Sequence, residues 1–270
     1  MRTSNPAFNQ PAFAPPDWRG IAADQSAAMR GAIGQAARAA GTMTLTGTMA
    51  KTSFLLGMCS ASALAVYVGI EKGVLQGPAV IGVMAGGAIL GLILGLVIGF
   101  KPTTAPWLSW LYALAEGCFL GGLSYVVADR LGEKADGLIF QAVSLTMGIA
   151  AAAVALSWTG LLRLSGTVMK VIMVATLGVG LLYLANILLR LFGVGEIGFI
   201  HGSGPIGIGF SLFVVALASF NLVMDLQMVK DAADSGAPKH YEWYSGFALL
   251  VTLVWLYIEV LRLLAKLRRE

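Results

Sequence analysis

The sequence predicts an all-α, polytopic membrane protein built as a helix bundle, and three observations carry that prediction. The 270 residues are 57% hydrophobic and only 12% charged, with a mean hydropathy of +0.80, which is too apolar and too poor in charge for a soluble domain. Seven apolar stretches recur along the chain, each near the roughly twenty residues that carry a helix across a bilayer core. The connections between them are short and hold charged residues, glycine and proline. Helices joined so tightly pack as antiparallel neighbours.

The chain begins with a tail, residues 1–48. Pro6, Pro11, Pro15 and Pro16 predict a flexible, disordered start, and the Ala/Gly-rich run from Ala27 to Gly41, with Arg30 and Arg38, predicts a short helix lying on the membrane surface. The first apolar run comes too late for a secretory signal peptide, so that span must serve as its own insertion signal. The seven-helix transmembrane domain then occupies 49–270, with spans at 53–70, 78–100, 106–128, 138–159, 171–189, 206–228 and 244–264. Glycines at 87, 91, 95 and 99 put a side-chain-free groove on one face of the second span, and Gly117 and Gly121 repeat the device on the third. Such grooves let a neighbouring backbone approach closely, so these glycines are expected to pack the bundle rather than line a pore.

Lysine and arginine in the loops favour a cytoplasmic N-terminus. With seven crossings, ten basic residues lie inside (Arg2, Arg19, Arg30, Arg38, Lys51, Lys101, Arg163, Lys170, Lys230, Lys239) and eight outside, including Arg262, Lys266, Arg268 and Arg269. A re-entrant last segment would bring those four back inside and give fourteen against four. Charge therefore leaves the side of the C-terminal tail open.

Several function classes find no support. The basic residues flank spans instead of forming a patch interleaved with aromatics, which argues against nucleic acid as a partner. Cys59 and Cys118 lie in separate apolar segments without metal-ligand spacing and read as small buried hydrophobes. An intramembrane aspartyl protease needs two aspartates in spans, and only Asp225 qualifies. Both histidines, His201 and His240, fall in loops, so no buried nucleophile–base pair can be named. The glycine-rich run Gly202 to Gly209 lacks the Lys-Ser/Thr of a phosphate loop. No enzyme activity and no cofactor are expected.

Three acids remain inside the spans: Glu116, Asp225 and Glu259. A charge in hydrocarbon costs at least about 2.5 kcal/mol on insertion scales, so each is read as a functional candidate with a partner to find. Asn221 precedes Asp225 by one turn and could present an oxygen beside it. Arg262 follows Glu259 by three residues and offers it an ion pair. Glu116 sits mid-span with no partner nearby in sequence. Carboxylates in a low dielectric hold either a proton or a hard cation such as calcium and change state with pH, which is the chemistry of transport or gating.

The runs Leu222-Val-Met-Asp225-Leu-Gln227, Lys239-His-Tyr-Glu-Trp243 and Leu256-Tyr-Ile-Glu259-Val-Leu-Arg-Leu-Leu264, with Leu114-Ala-Glu116-Gly117, resemble the transmembrane Bax inhibitor motif family, in particular its bacterial, YccA-like members. The resemblance covers residues 43–270 and is most specific at the C-terminal hairpin. It implies seven helices with a central C-terminal helix wrapped by the other six, a multi-pass location in the bacterial cytoplasmic membrane, and a pH-sensitive calcium leak. Calcium is there the transported or bound ion, and the partners are membrane lipids, calcium ions and protons. The leak would be gated by one acid of the sixth helix, matched by Asp225, and one of the seventh, matched by Glu259. The basic residue that some members carry in the second helix has no counterpart here. The alternative the resemblance implies is a regulatory membrane protein without flux, modulating a membrane-bound quality-control protease.

Spacing separates the two hairpin acids. Pro238, near the tip of the turn, is thirteen residues after Asp225 and twenty-one before Glu259. Regular helices would set the acids about 12 Å apart in height and place Val251 level with Asp225. Asp225 then pairs with Glu259 only across an irregular loop, and otherwise with Glu116.

Overall fold

The computed structural model describes residues 41–159, 163–193 and 202–269, together with Gln25, Met29, Gly195, Ile197 and Gly198. Most of the tail expected over 1–48, including its surface helix, lies outside the described residues, as does His201. Met43–Glu270 form one compact unit.

The described residues form seven helices long and apolar enough to cross a membrane: α1 (Leu45–Glu71), α2 (Pro78–Phe100), α3 (Ala105–Leu131), α4 (Leu138–Thr159), α5 (Gly166–Leu191), α6 (Pro205–Asp234) and α7 (Tyr241–Leu267). Their starts follow local chemistry. Thr44 caps α1 by accepting the Gly47 N–H at 3.0 Å, and Ser165 caps α5 through Val168 N–H. Prolines open α2 and α6, where the missing N–H costs nothing.

Several helices run well past the apolar stretches. α1 begins at Leu45 rather than 53, α5 at Gly166 rather than 171, and α6 continues to Asp234. Charged residues such as Lys51, Lys170 and Lys230 are carried within the helical ends, Lys51 in an ion pair with Glu242 of α7. α7 is one continuous helix of 27 residues, so the re-entrant segment gives way to a seventh crossing.

α7 is the central element. It is the most buried of the seven spans and packs against α1, α3, α4 and α6. Leu250, Leu256 and Val260 are fully enclosed. α2 and α5 lie outermost, with Ile89, Leu92, Val174 and Leu177 turned outwards, as lipid-facing residues must be.

The glycine grooves divide their work. A methyl on Gly87 would come within 2.6 Å of the Ala115 carbonyl, and one on Gly117 within 2.7 Å of Ser62 Cβ. Those two fasten α2 to α3 and α3 to α1. Gly91 also meets α3, where an added Cβ would stand 2.7 Å from Glu116 Oε1, and with Gly95 it forms one wall of a cavity. Gly99 faces open space.

Candidate functional site

Asp225 and Glu116, from α6 and α3, line one cavity of about 430 Å³. Its walls are Gly91 and Gly95 of α2, Tyr112 of α3, and Phe247, Val251 and Thr252 of α7. Thr252 lies about 17 Å along α7 from Tyr241, at 1.5 Å per residue, and Glu116 is likewise central in α3. The cavity therefore sits near mid-span, where a charge is most costly.

Each carboxylate has a hydroxyl for company. Thr252 Oγ1 donates to Asp225 Oδ2 at 2.5 Å. Tyr112, one turn before Glu116, brings its phenol near the Glu116 carboxylate, and its ring is held edge-on by Phe247 at 4.8 Å between centroids. Gly91 makes the room, because an added Cβ would stand 2.7 Å from Glu116 Oε1. Both acids are half-buried rather than sealed. Among the described residues no three His, Cys, Asp or Glu side chains gather into a metal-holding group.

Glu259 belongs elsewhere. It is buried to 1% exposure and seven residues beyond Thr252, about 10 Å further along α7. Arg262 Nη1 donates to its two oxygens at 3.1 and 3.0 Å, and Tyr183 of α5 donates to Oε2 at 3.1 Å. Arg262 also donates to Tyr183 Oη at 2.6 Å and lies 4.8 Å from that ring's centroid. One turn further on, buried Lys266 donates to Gly207 O and Ser211 Oγ of α6, both at 2.8 Å. The structure thus bonds Asp225 to Thr252 and sets it in a cavity shared with Glu116, and does not bring it to Glu259. Asn221 also turns away from Asp225: its amide donates to Thr176 Oγ1 of α5 at 2.7 Å and to Leu217 O at 2.9 Å.

Reasoning from sequence missed the most enclosed acid, Glu242. It opens α7 with no exposed surface and accepts from Thr44 N and Oγ1, each at 2.9 Å, and from Lys239 at 2.8 Å, with Lys51 of α1 a further ion-pair partner. These contacts tie the start of α1 to the α6–α7 turn, beside the Met43 N–H to Ala237 O bond of 2.7 Å. Glu242 was visible only as part of the Lys239–Trp243 run, with Lys239 three residues before it. Thr252 was also missed, although it adjoins Val251, the residue counted as level with Asp225.

Fold and site together define a multi-pass helical membrane protein with two carboxylates lining one cavity within its spans. The family model for Bax inhibitor 1 like proteins matches residues 5–269, and the chain belongs to that family. Searches of curated proteins and of solved structures find no match.

Proposed function

We propose that this protein is a cation leak of the bacterial cytoplasmic membrane, with calcium as the first candidate ion, gated by protonation of Asp225 and Glu116. It is read as a passive transporter and not an enzyme. The observation that carries this reading is the shared cavity: two acids from different helices face one space near mid-span, each beside a hydroxyl, with Gly91 and Gly95 keeping side chains out of it.

Calcium takes roughly 6–8 oxygen ligands. Two carboxylates, Thr252, Tyr112 and water can supply a share of them, a donor set suited to transit more than to tight retention. Two acids that face one cavity can each hold a proton or take a share of a passing cation according to pH. Glu259, matched to the family's second acid by its motif, stands outside this pair because Arg262 already balances it.

The test is calcium flux in proteoliposomes across pH 5 to 8. Asp225→Asn and Glu116→Gln are each expected to flatten the pH dependence and change the leak at least about tenfold, the equivalent of 1.4 kcal/mol. A leak identical to wild type in both variants would overturn the reading. No flux from the wild type would favour a regulatory protein acting on a membrane protease.

A further inference from the structure

Away from the acids, α1, α3, α4 and α7 leave an apolar cleft of about 450 Å³, within the roughly 300–1,000 Å³ typical of small-molecule sites. It exists because α4 packs on α6 and α7 and barely meets α3. Small residues of α1, Ser60 and Ala63, leave the space open on their side, and Gly121 of α3 lines it where α3 closes on α1. The side is unclosed, for Leu64 and Val143 line the cleft while 63% and 43% exposed.

Three of the hydroxyls in its wall are already engaged. Ser124 Oγ and Tyr257 Oη bond each other at 2.8 Å, and Thr146 Oγ1 donates to Ala142 O at 2.8 Å. The rest of the wall, the Ser60 and Tyr67 hydroxyls apart, is apolar, and an apolar chain would recover the dispersion contacts an empty cleft forgoes. Along α1 the cleft runs from Leu56 to Tyr67, about 17 Å at the helical rise. One leaflet of hydrocarbon is about 15 Å deep, half of a core of about 30 Å.

At its outer end the cleft does not stop. Tyr67 and Ile139 also line a second cavity, about 330 Å³, at the α3–α4 connection, where Glu133 and Asp136 are among the lining residues. The Tyr67 ring meets Tyr125 edge-on at 6.0 Å, an aromatic pair placed as such residues are at a membrane interface. The carbonyl end of α3 adds partial negative charge to that cavity and the amide end of α4, at Leu138, partial positive charge, with Arg268 donating to the Asp136 carbonyl at 2.7 Å beside it.

We propose that the two cavities are one binding site for a membrane phospholipid, with an acyl chain in the apolar arm and an amine-bearing headgroup of the ethanolamine type at Glu133 and Asp136. The depth of the apolar arm fits one leaflet, the acids at its mouth complement an ammonium group, and the amide end of α4 complements the phosphate beside it.

Native mass spectrometry of the full chain tests this, after purification in non-ionic detergent and exposure to equal amounts of phosphatidylethanolamine and phosphatidylglycerol with identical chains. The wild type is expected to retain one lipid, with the ethanolamine form favoured at least about tenfold. Ser60→Trp and Val143→Trp, each at an exposed position that the indole would fill, should lower retention by a similar factor. The double variant Glu133→Gln/Asp136→Asn should keep the lipid and lose the preference, and it decides the matter if the tryptophan variants fail to elute as folded protein. Retention unchanged by the tryptophans would mean annular lipid only and overturn the site. No headgroup preference in the wild type would overturn the assignment of the acids.

Discussion

Thr252 Oγ1 donates to Asp225 Oδ2 at 2.5 Å, across the seam between the last two helices. Asp225 therefore meets a hydroxyl on α7, and no second carboxylate of that helix. Thr252→Val keeps the shape and removes the donor. The carboxylate stays partly accessible through the cavity, so the expected loss of stability is about 1 to 2 kcal/mol, at the low end for orphaning a charged acceptor. Thr252→Ser restores a donor and should recover most of it. Thermal unfolding in detergent compares the three proteins, and an unchanged midpoint for Thr252→Val would mean that the hydrogen bond contributes nothing.

Gly91 and Gly99 occupy the same groove of α2 and face different surroundings. A Cβ at Gly91 would stand 2.7 Å from Glu116 Oε1, while one at Gly99 would meet nothing within 4 Å. Gly91→Ala must therefore move the Glu116 carboxylate, and its pH-dependent leak should fall towards that of Glu116→Gln. Gly99→Ala should leave the leak unchanged and raise helix stability by up to about 1 kcal/mol, the propensity difference between the two residues. Parallel flux and unfolding measurements on the two variants decide it. Equal leaks in both would show that room at Gly91 is irrelevant to the acids.

How much of this was legible in the sequence depends on which force fixes each feature. Burial of apolar surface in lipid leaves a signal of length and composition, so all seven helices could be read, and α2 and α4 to the residue. Helix ends were less legible, since Lys51, Lys170 and Lys230 break the apolar windows without breaking the helices. The acids stood out because a charge within a span needs a reason. Their partners did not, because pairing depends on the rotation of each helix about its axis. Asn221 and Asp225, one turn apart on α6, illustrate this: the first bonds α5 and the second α7. Counting from the turn at Pro238 did carry geometric information, for it put Val251 level with Asp225, one residue from the observed Thr252. Glu242 escaped because its partners Thr44 and Lys51 are far away in sequence.

Glu259 tests whether motif or geometry should be followed. Its motif matches the second acid of the family's gate, while its contacts are those of a buried ion pair with Arg262, supported by Tyr183 and with Lys266 one turn beyond Arg262. Removing one partner of such a pair strands the other, so Glu259→Leu and Arg262→Leu should each destabilise the protein by about 3 kcal/mol, with Arg262 partly exposed and the cost accordingly at the lower limit. The double variant should lie closer to wild type than either single, because a well-packed apolar pair replaces both charges. The leak gives the independent reading. If Glu259 only balances Arg262, Glu259→Gln keeps the pH dependence of flux per folded molecule, whereas Asp225→Asn flattens it. Flattening of equal size in both variants would return Glu259 to the gate. It would also require α7 to move by about two turns, roughly 10 Å, for the two acids to meet.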